Sequence, residues 1–153
     1  VEAGFASLYQ NKRVILTPLD STDRGAIETI DKMWRQCGAS IEYLSVQHHD
    51  KVLAATSHLP HMLAYALVNF LSGLNEHDEI FKYASGGFRD FTRIASSDPV
   101  MWRDVCISNG DALLTLIEQY KRNWTRCRPL FKIRMPSDCW RYSAMQNQRE
   151  IHW

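Results

Sequence analysis

The spacing of apolar residues changes character near residue 47. Before it, Arg13-Val14-Ile15-Leu16-Thr17 is a β-branched, apolar run ended by Pro18, which predicts a buried strand. Ile27, Ile30, Met33, Trp34 and Cys37 then recur at helical spacing, behind the N-cap candidates Asp20, Ser21 and Thr22. Gly38 is a natural C-cap, and residues 41–46 predict a second short strand. Strand, helix and strand in this order form a crossover unit. Both of its strands keep an open edge, so the unit is expected to extend a sheet that this chain does not supply.

From His48 the pattern is helical. Val52, Leu53, Ala55 and Thr56 lead into Ser57-His58-Leu59-Pro60-His61, and Met62, Leu63, Ala66, Leu67, Phe70 and Leu71 follow. This run is apolar around most of its circumference, which predicts a central helix covered on several sides. Pro60 implies either a break with a fresh start or a kink. Gly73 and Asn75 end the run. After a short stretch at 77–84, Gly86-Gly87 reads as a hinge before a helical piece at 88–95, with Phe88 and Phe91 as core anchors. Ser97-Asp98-Pro99 predicts a helix start, with Met101, Trp102, Val105 and Cys106 as its apolar face. Asn109-Gly110 breaks it. The last amphipathic helix runs from Asp111 to about residue 120 and carries Leu113, Leu114, Leu116, Ile117 and Tyr120. From Lys121 no period holds. Trp124, Trp140 and Trp153 fall here with Cys127 and Cys139, and Pro129 and Pro136 interrupt the tail, so no ordered structure is assigned to 121–153. The expected fold is mainly α, with a β-α-β start at 1–46 and a helical domain at 47–120.

Composition narrows the classes. The 153 residues suffice for one ordinary core, and a net charge of +1 gives no field that favours nucleic acid or an anionic membrane. The longest apolar region, 63–74, falls short of the roughly 20 residues of a membrane span. The chain begins Val1-Glu2, which is neither a secretory signal nor a transit peptide and reads as a cut inside a longer chain. The four cysteines have no CxxC spacing and are expected as reduced, buried thiols of a cytoplasmic protein.

Two constellations carry chemistry. His58 and His61 are three apart and share a helix face. They serve either as polar contacts to a small molecule or as helix-start groups capping the backbone, and periodicity favours the second. His48, His49 and Asp50 lie close in sequence, yet HxxH is not a zinc-helix spacing and no cysteine joins it, so no metal is expected. Arg89 and Arg93 are four apart. They form either a carboxylate clamp, with Asp90 steadying Arg93, or a solvated basic face. Gly86-Gly87 tilts this toward a ligand, because paired glycines permit close backbone approach. Trp102 on an apolar face is expected in the core. No GxGxxG, P-loop or GxSxG occurs, and no catalytic residue is assigned within the chain.

RVILTP (13–18), the Trp34–Gly38 helix end, HHD (48–50), SHLPH (57–61), GGFRDFTRIASSDPVMW (86–102) and Asn109 run in an order that resembles the prephenate dehydrogenase family, prephenate and arogenate dehydrogenases of tyrosine biosynthesis. The resemblance covers about residues 1–120. It implies a nucleotide-binding α/β domain, of which 1–46 is the end, followed by a helical dimerisation domain. The implied reaction is oxidative decarboxylation, with hydride passing to NAD or NADP and carbon dioxide lost as the ring aromatises. On this resemblance Arg93 matches the arginine that holds a substrate carboxylate. His61 matches a pocket histidine with His58 one turn away, and Asp90 and Trp102 match residues around the pocket. The implied partners are a second copy of the chain and a dicarboxylate substrate or a tyrosine-like inhibitor, with no nucleic acid and no membrane. The family's glycine-rich loop and its HPxAG-type histidine are absent and would lie before Val1. The chain alone is therefore expected to bind no cofactor and to be inactive. The alternative is a non-catalytic helical dimerisation module. A second copy also has a physical motive, since few helices remain to cover the apolar central one.

Overall fold

The computed structural model describes residues 4–127. Strand β1 (Arg13–Leu16) pairs in parallel with β2 (Ser40–Tyr43), Val14 opposite Ile41 and Leu16 opposite Tyr43, and helix α1 (Arg24–Gln36) forms the crossover. The cap of α1 is Asp23, one residue beyond the expected candidates: its carboxylate accepts from Ala26 N at 2.8 Å. The other end closes as the sequence suggests. Gly38 takes φ +87°, its N–H reaches Arg35 O at 2.9 Å, and Ala39 N reaches Trp34 O at 3.1 Å. That pair of bonds is a Schellman turn, and it needs a left-handed residue at this point. Cys37, expected buried, is exposed.

The second strand is shorter than expected because Ser45 starts a helix. Its hydroxyl accepts from His48 N at 3.2 Å, and α2 (Val46–Leu53) follows, so Val46 is helical rather than extended. Pro60 produces neither a break nor a restart. A π-helical turn (Ala54–His58) joins α2 directly to α3 (Leu59–Ser72), and the residues on both sides of the turn stay right-handed helical. Proline brings no N–H to the ladder. Just before it, Leu59 N reaches back five residues to Ala54 O, the widened bond of a π turn.

Helices α4 (His77–Lys82) and α5 (Gly86–Thr92) follow, then a 3-10 turn (Arg93–Ser96) that packs with α5 against α3. Gly86 and Gly87 are the first two residues of α5 and not a hinge: neither has positive φ, and a methyl group at either would meet nothing within 4 Å. Helix α6 (Pro99–Ser108) starts as predicted, with Asp98 accepting from Met101 N at 2.8 Å and Pro99 in the first turn. Helix α7 (Gly110–Cys127) continues seven residues past the predicted end at Tyr120, and the rest of the tail expectation lies outside the described residues. Among the described residues, the division between two compact units falls after Leu113, within α7.

The core is thin. Ala39, Ala54, Ala64, Trp102 and Leu113 are the buried hydrophobic residues among those described. Helix α3, expected covered on several sides, buries only Ala64, and Phe70 is 63% exposed. Phe91 and Met101, expected to face the core, are exposed too. Phe88 does anchor α5, edge-on to Phe81 with 6.1 Å between ring centres.

Candidate functional site

The π turn sets the stage for the first site. It carries His58 at its end and leaves His61 in the first turn of α3. The imidazole of His61 donates from Nδ1 to Ser57 O at 2.8 Å and lies flat on Trp102, with ring centres 3.7 Å apart and planes at 20°. His58 meets the same indole edge-on at 6.1 Å and 77°. Trp102 is brought there by α6, whose preceding segment is tied to α3 by Tyr65 Oη donating to Ser97 O at 2.7 Å. The indole is 7% exposed, and its Nε1 is buried without a hydrogen-bond partner among the described residues. Beside it, Met62, Tyr65, Pro99, Arg103 and Cys106 line an apolar groove of about 370 Å³. Cys106 turns its thiol to Met62 Sδ at 3.3 Å, and burial raises the thiol's pKa.

Asn109 completes this corner, and the sequence reading gave it no role there. Its Nδ2 donates to Asp50 O at 2.7 Å and approaches His58 Nδ1 at 3.2 Å, tying the end of α6 to α2 and to the π turn. The partners are 59 and 51 residues away in sequence, a pairing that no local spacing signals. Burial lowers the His58 pKa from its ordinary value; His49 and His61 push the same way and Asp50 opposes them. His58 is thus held toward its neutral form. His49 pairs with Asp50 at 3.0 Å. Among the described residues no group of three or more His, Cys, Asp or Glu is placed to hold a metal ion.

The arginine motif is arranged differently. Arg89 and Asp90 sit on α5 and Arg93 opens the 3-10 turn, all three exposed. The expected Asp90–Arg93 pair is absent among the described ion pairs. Arg89 borders a groove of about 360 Å³ floored by Val68, Phe81 and Phe88. No described contact joins Arg93 or Asp90 to the His58–His61–Trp102 corner. The sequence therefore placed three of its five candidate residues in one cluster, with the other two on neighbouring elements.

Residues 45–150 match the family model described as prephenate dehydrogenase, dimerization domain, and residues 1–43 match prephenate dehydrogenase, nucleotide-binding domain. The chain belongs to the prephenate dehydrogenase family. The dimerization-domain match runs past residue 120, where the recognisable motifs stop. The chain is 44% identical over 121 residues to a cyclohexadienyl dehydrogenase of Zymomonas mobilis, covering 78% of this chain and 41% of that protein. It is 34% identical over 143 residues to a prephenate dehydrogenase of Bacillus subtilis, covering 93% and 38%. Among solved structures it is similar to the prephenate dehydrogenase from A. aeolicus in complex with hydroxyphenyl propionate and NAD+. That likeness has a TM-score of 0.86 at 36% identity and covers 99% of this chain and 54% of that one. The chain thus spans about two fifths of the curated relatives it matches and about half of the similar structure.

The family fold accounts for the open edges of β1 and β2, which belong to the nucleotide-binding segment. That segment offers no glycine-rich turn for a dinucleotide within this chain. Among the described residues no helix is long and apolar enough to cross a membrane.

Proposed function

We propose that the chain supplies the substrate-carboxylate wall and the dimer interface of an NAD(P)-dependent prephenate dehydrogenase, a cytoplasmic enzyme of tyrosine biosynthesis. The observation that carries this reading is the His58–His61–Trp102 corner, formed within the segment that matches the dimerization domain. Two oriented imidazoles against a buried indole make a polar edge on an apolar wall, which suits a ring-bearing dicarboxylate. Arg93 is exposed at the next element and supplies the bidentate carboxylate contact, with Asp90 beside it on α5. The similar A. aeolicus structure holds hydroxyphenyl propionate, a ring with a carboxylate side chain, which supports a ligand of this class.

Homodimerisation follows from the thin core. Helix α3 is apolar along most of its length yet buries one residue, and a second copy is the economical cover. No catalytic residue is assigned to the chain, and without a cofactor loop it is inactive alone. The test has two arms. The 153-residue chain should not oxidise prephenate with NAD+ or NADP+, and turnover by the purified chain would overturn the inactivity. In a protein that also carries the nucleotide-binding domain, Arg93→Ala should abolish activity while leaving the dimer intact by sedimentation. An unfolded Arg93→Ala dimer would assign the arginine a packing role instead.

A further inference from the structure

We infer that Asn109 is a positioning residue that fixes the ring hydrogen of His58 on Nε2, so that His58 and His61 present opposite tautomers, one donor and one acceptor, to the substrate. The inference rests on the reading that these two rings meet the substrate.

The hydrogen bonds decide the tautomers. A backbone carbonyl only accepts, so the Asn109 group 2.7 Å from Asp50 O is the amide nitrogen. The same nitrogen faces His58 Nδ1 at 3.2 Å, and it has a second hydrogen to give. Nδ1 of His58 is therefore the lone-pair nitrogen, and the neutral ring carries its hydrogen on Nε2. His61 is fixed the other way. Its Nδ1 faces Ser57 O at 2.8 Å, again an acceptor, so Nδ1 holds the hydrogen, and in the neutral ring Nε2 keeps the lone pair. Trp102 limits the swing of both rings, flat against one and edge-on to the other.

The charged or titratable groups that act on His58 are His49 and Asp50 from α2 and His61 from α3, while Trp102 and Asn109 bring no charge from α6 and its end. Burial and the two neighbouring imidazoles favour a neutral ring, the only state in which Nδ1 can accept from Asn109. The pair thus suits a ligand with an oxygen acceptor for His58 Nε2–H and a hydroxyl donor for His61 Nε2. A bare dianion with acceptors alone would leave His61 unmatched.

Ring 15N shifts of the 15N-histidine-labelled 153-residue chain test this at neutral pH, with His58→Gln and His61→Gln assigning the signals. His58 should show a hydrogen-free Nδ1 and a protonated Nε2, and His61 the reverse. A His58 ring with Nδ1–H, or an even mixture, overturns the inference. Asn109→Asp sets an acceptor against Nδ1 and should move the His58 hydrogen to Nδ1 and raise its pKa, with His61 unchanged. An unaltered His58 in a folded Asn109→Asp variant overturns the role of Asn109. Should that variant fail to fold, the wild-type shifts decide. Titration with 3-(4-hydroxyphenyl)propionate adds the functional arm: both rings should shift, and Asn109→Asp should weaken binding about tenfold. Opposite tautomers on rings that ignore this probe would overturn the reading of the site and leave the tautomer assignment standing.

Discussion

The histidine corner includes the first turn of α3, the arginine helix packs against the same α3, and the two are built in opposite ways. Around Trp102, each imidazole has a ring partner and a hydrogen-bond partner, and the indole is 7% exposed. Around Arg93, the side chain stands in solvent, and Asp90 three residues earlier does not hold it. Shape at the first place is set by packing within the chain. At the second it is set only by the backbone, and the long side chain keeps its rotamer freedom. On the function proposed above, a preorganised wall would fix where a ring sits and a mobile clamp would close on a charge once it arrives.

Stability measurements on this chain would sharpen or break that division. Trp102→Ala should have the largest effect. It removes the indole that both imidazoles rest on, and the expected loss is about 3–5 kcal/mol in chemical denaturation. A loss below about 1 kcal/mol would show that the corner collapses without cost and is not preorganised. Asp98→Ala removes the cap that sets the start of α6 and so the position of Trp102; about 1 kcal/mol should be lost.

The pH dependence comes next. His58 has a lowered pKa in the folded chain, so the unfolded chain takes up its proton first. Its contribution to stability is complete above the ordinary histidine value of about 6.5 and shrinks as pH falls through that value toward the folded pKa. In His58→Gln this part of the decline should vanish from the stability–pH profile. Arg93→Ala should do least to stability, under about 0.5 kcal/mol, because an exposed arginine with no ion pair among the described residues has little folded-state interaction to lose. A larger loss would erase the contrast between the two regions.

The histidine corner was only partly legible in the sequence. The three-residue spacing of His58 and His61 and the cap Asp98-Pro99 are local signals, and local physics delivers them. The strand–helix–strand start and the Gly38 turn were legible for the same reason. Asn109 was recognisable as a break between helices and as part of the family resemblance, but not by its contacts, because its partners lie more than fifty residues upstream and only folding brings them near. Of the two outcomes offered for Pro60, a break with a fresh start is not the one seen. Its missing N–H and its ring both argue against an uninterrupted helix, yet a widened turn just before it absorbs the conflict. Gly86-Gly87 looked like a hinge because glycine permits unusual angles, but permission is not requirement, and both residues are helical. Phe70 on α3 and Met101 on α6 were expected to be covered, and both are apolar and exposed.

The π turn also has a meaning as a count. One residue advances an α-helix by roughly 100°, and a widened turn that takes up one extra residue spares the helices on either side that rotation. Asp50 and His49 stand before the turn, and His61 and the length of α3 stand after it. Deleting a single residue from 54–58 should let regular helix form straight through with the Asp50 carbonyl still toward Asn109, whereas adding one that no turn takes up should swing that carbonyl away by more than a quarter-turn. The widened turn is therefore what keeps the corner in phase: it holds one residue more than a regular helix would need.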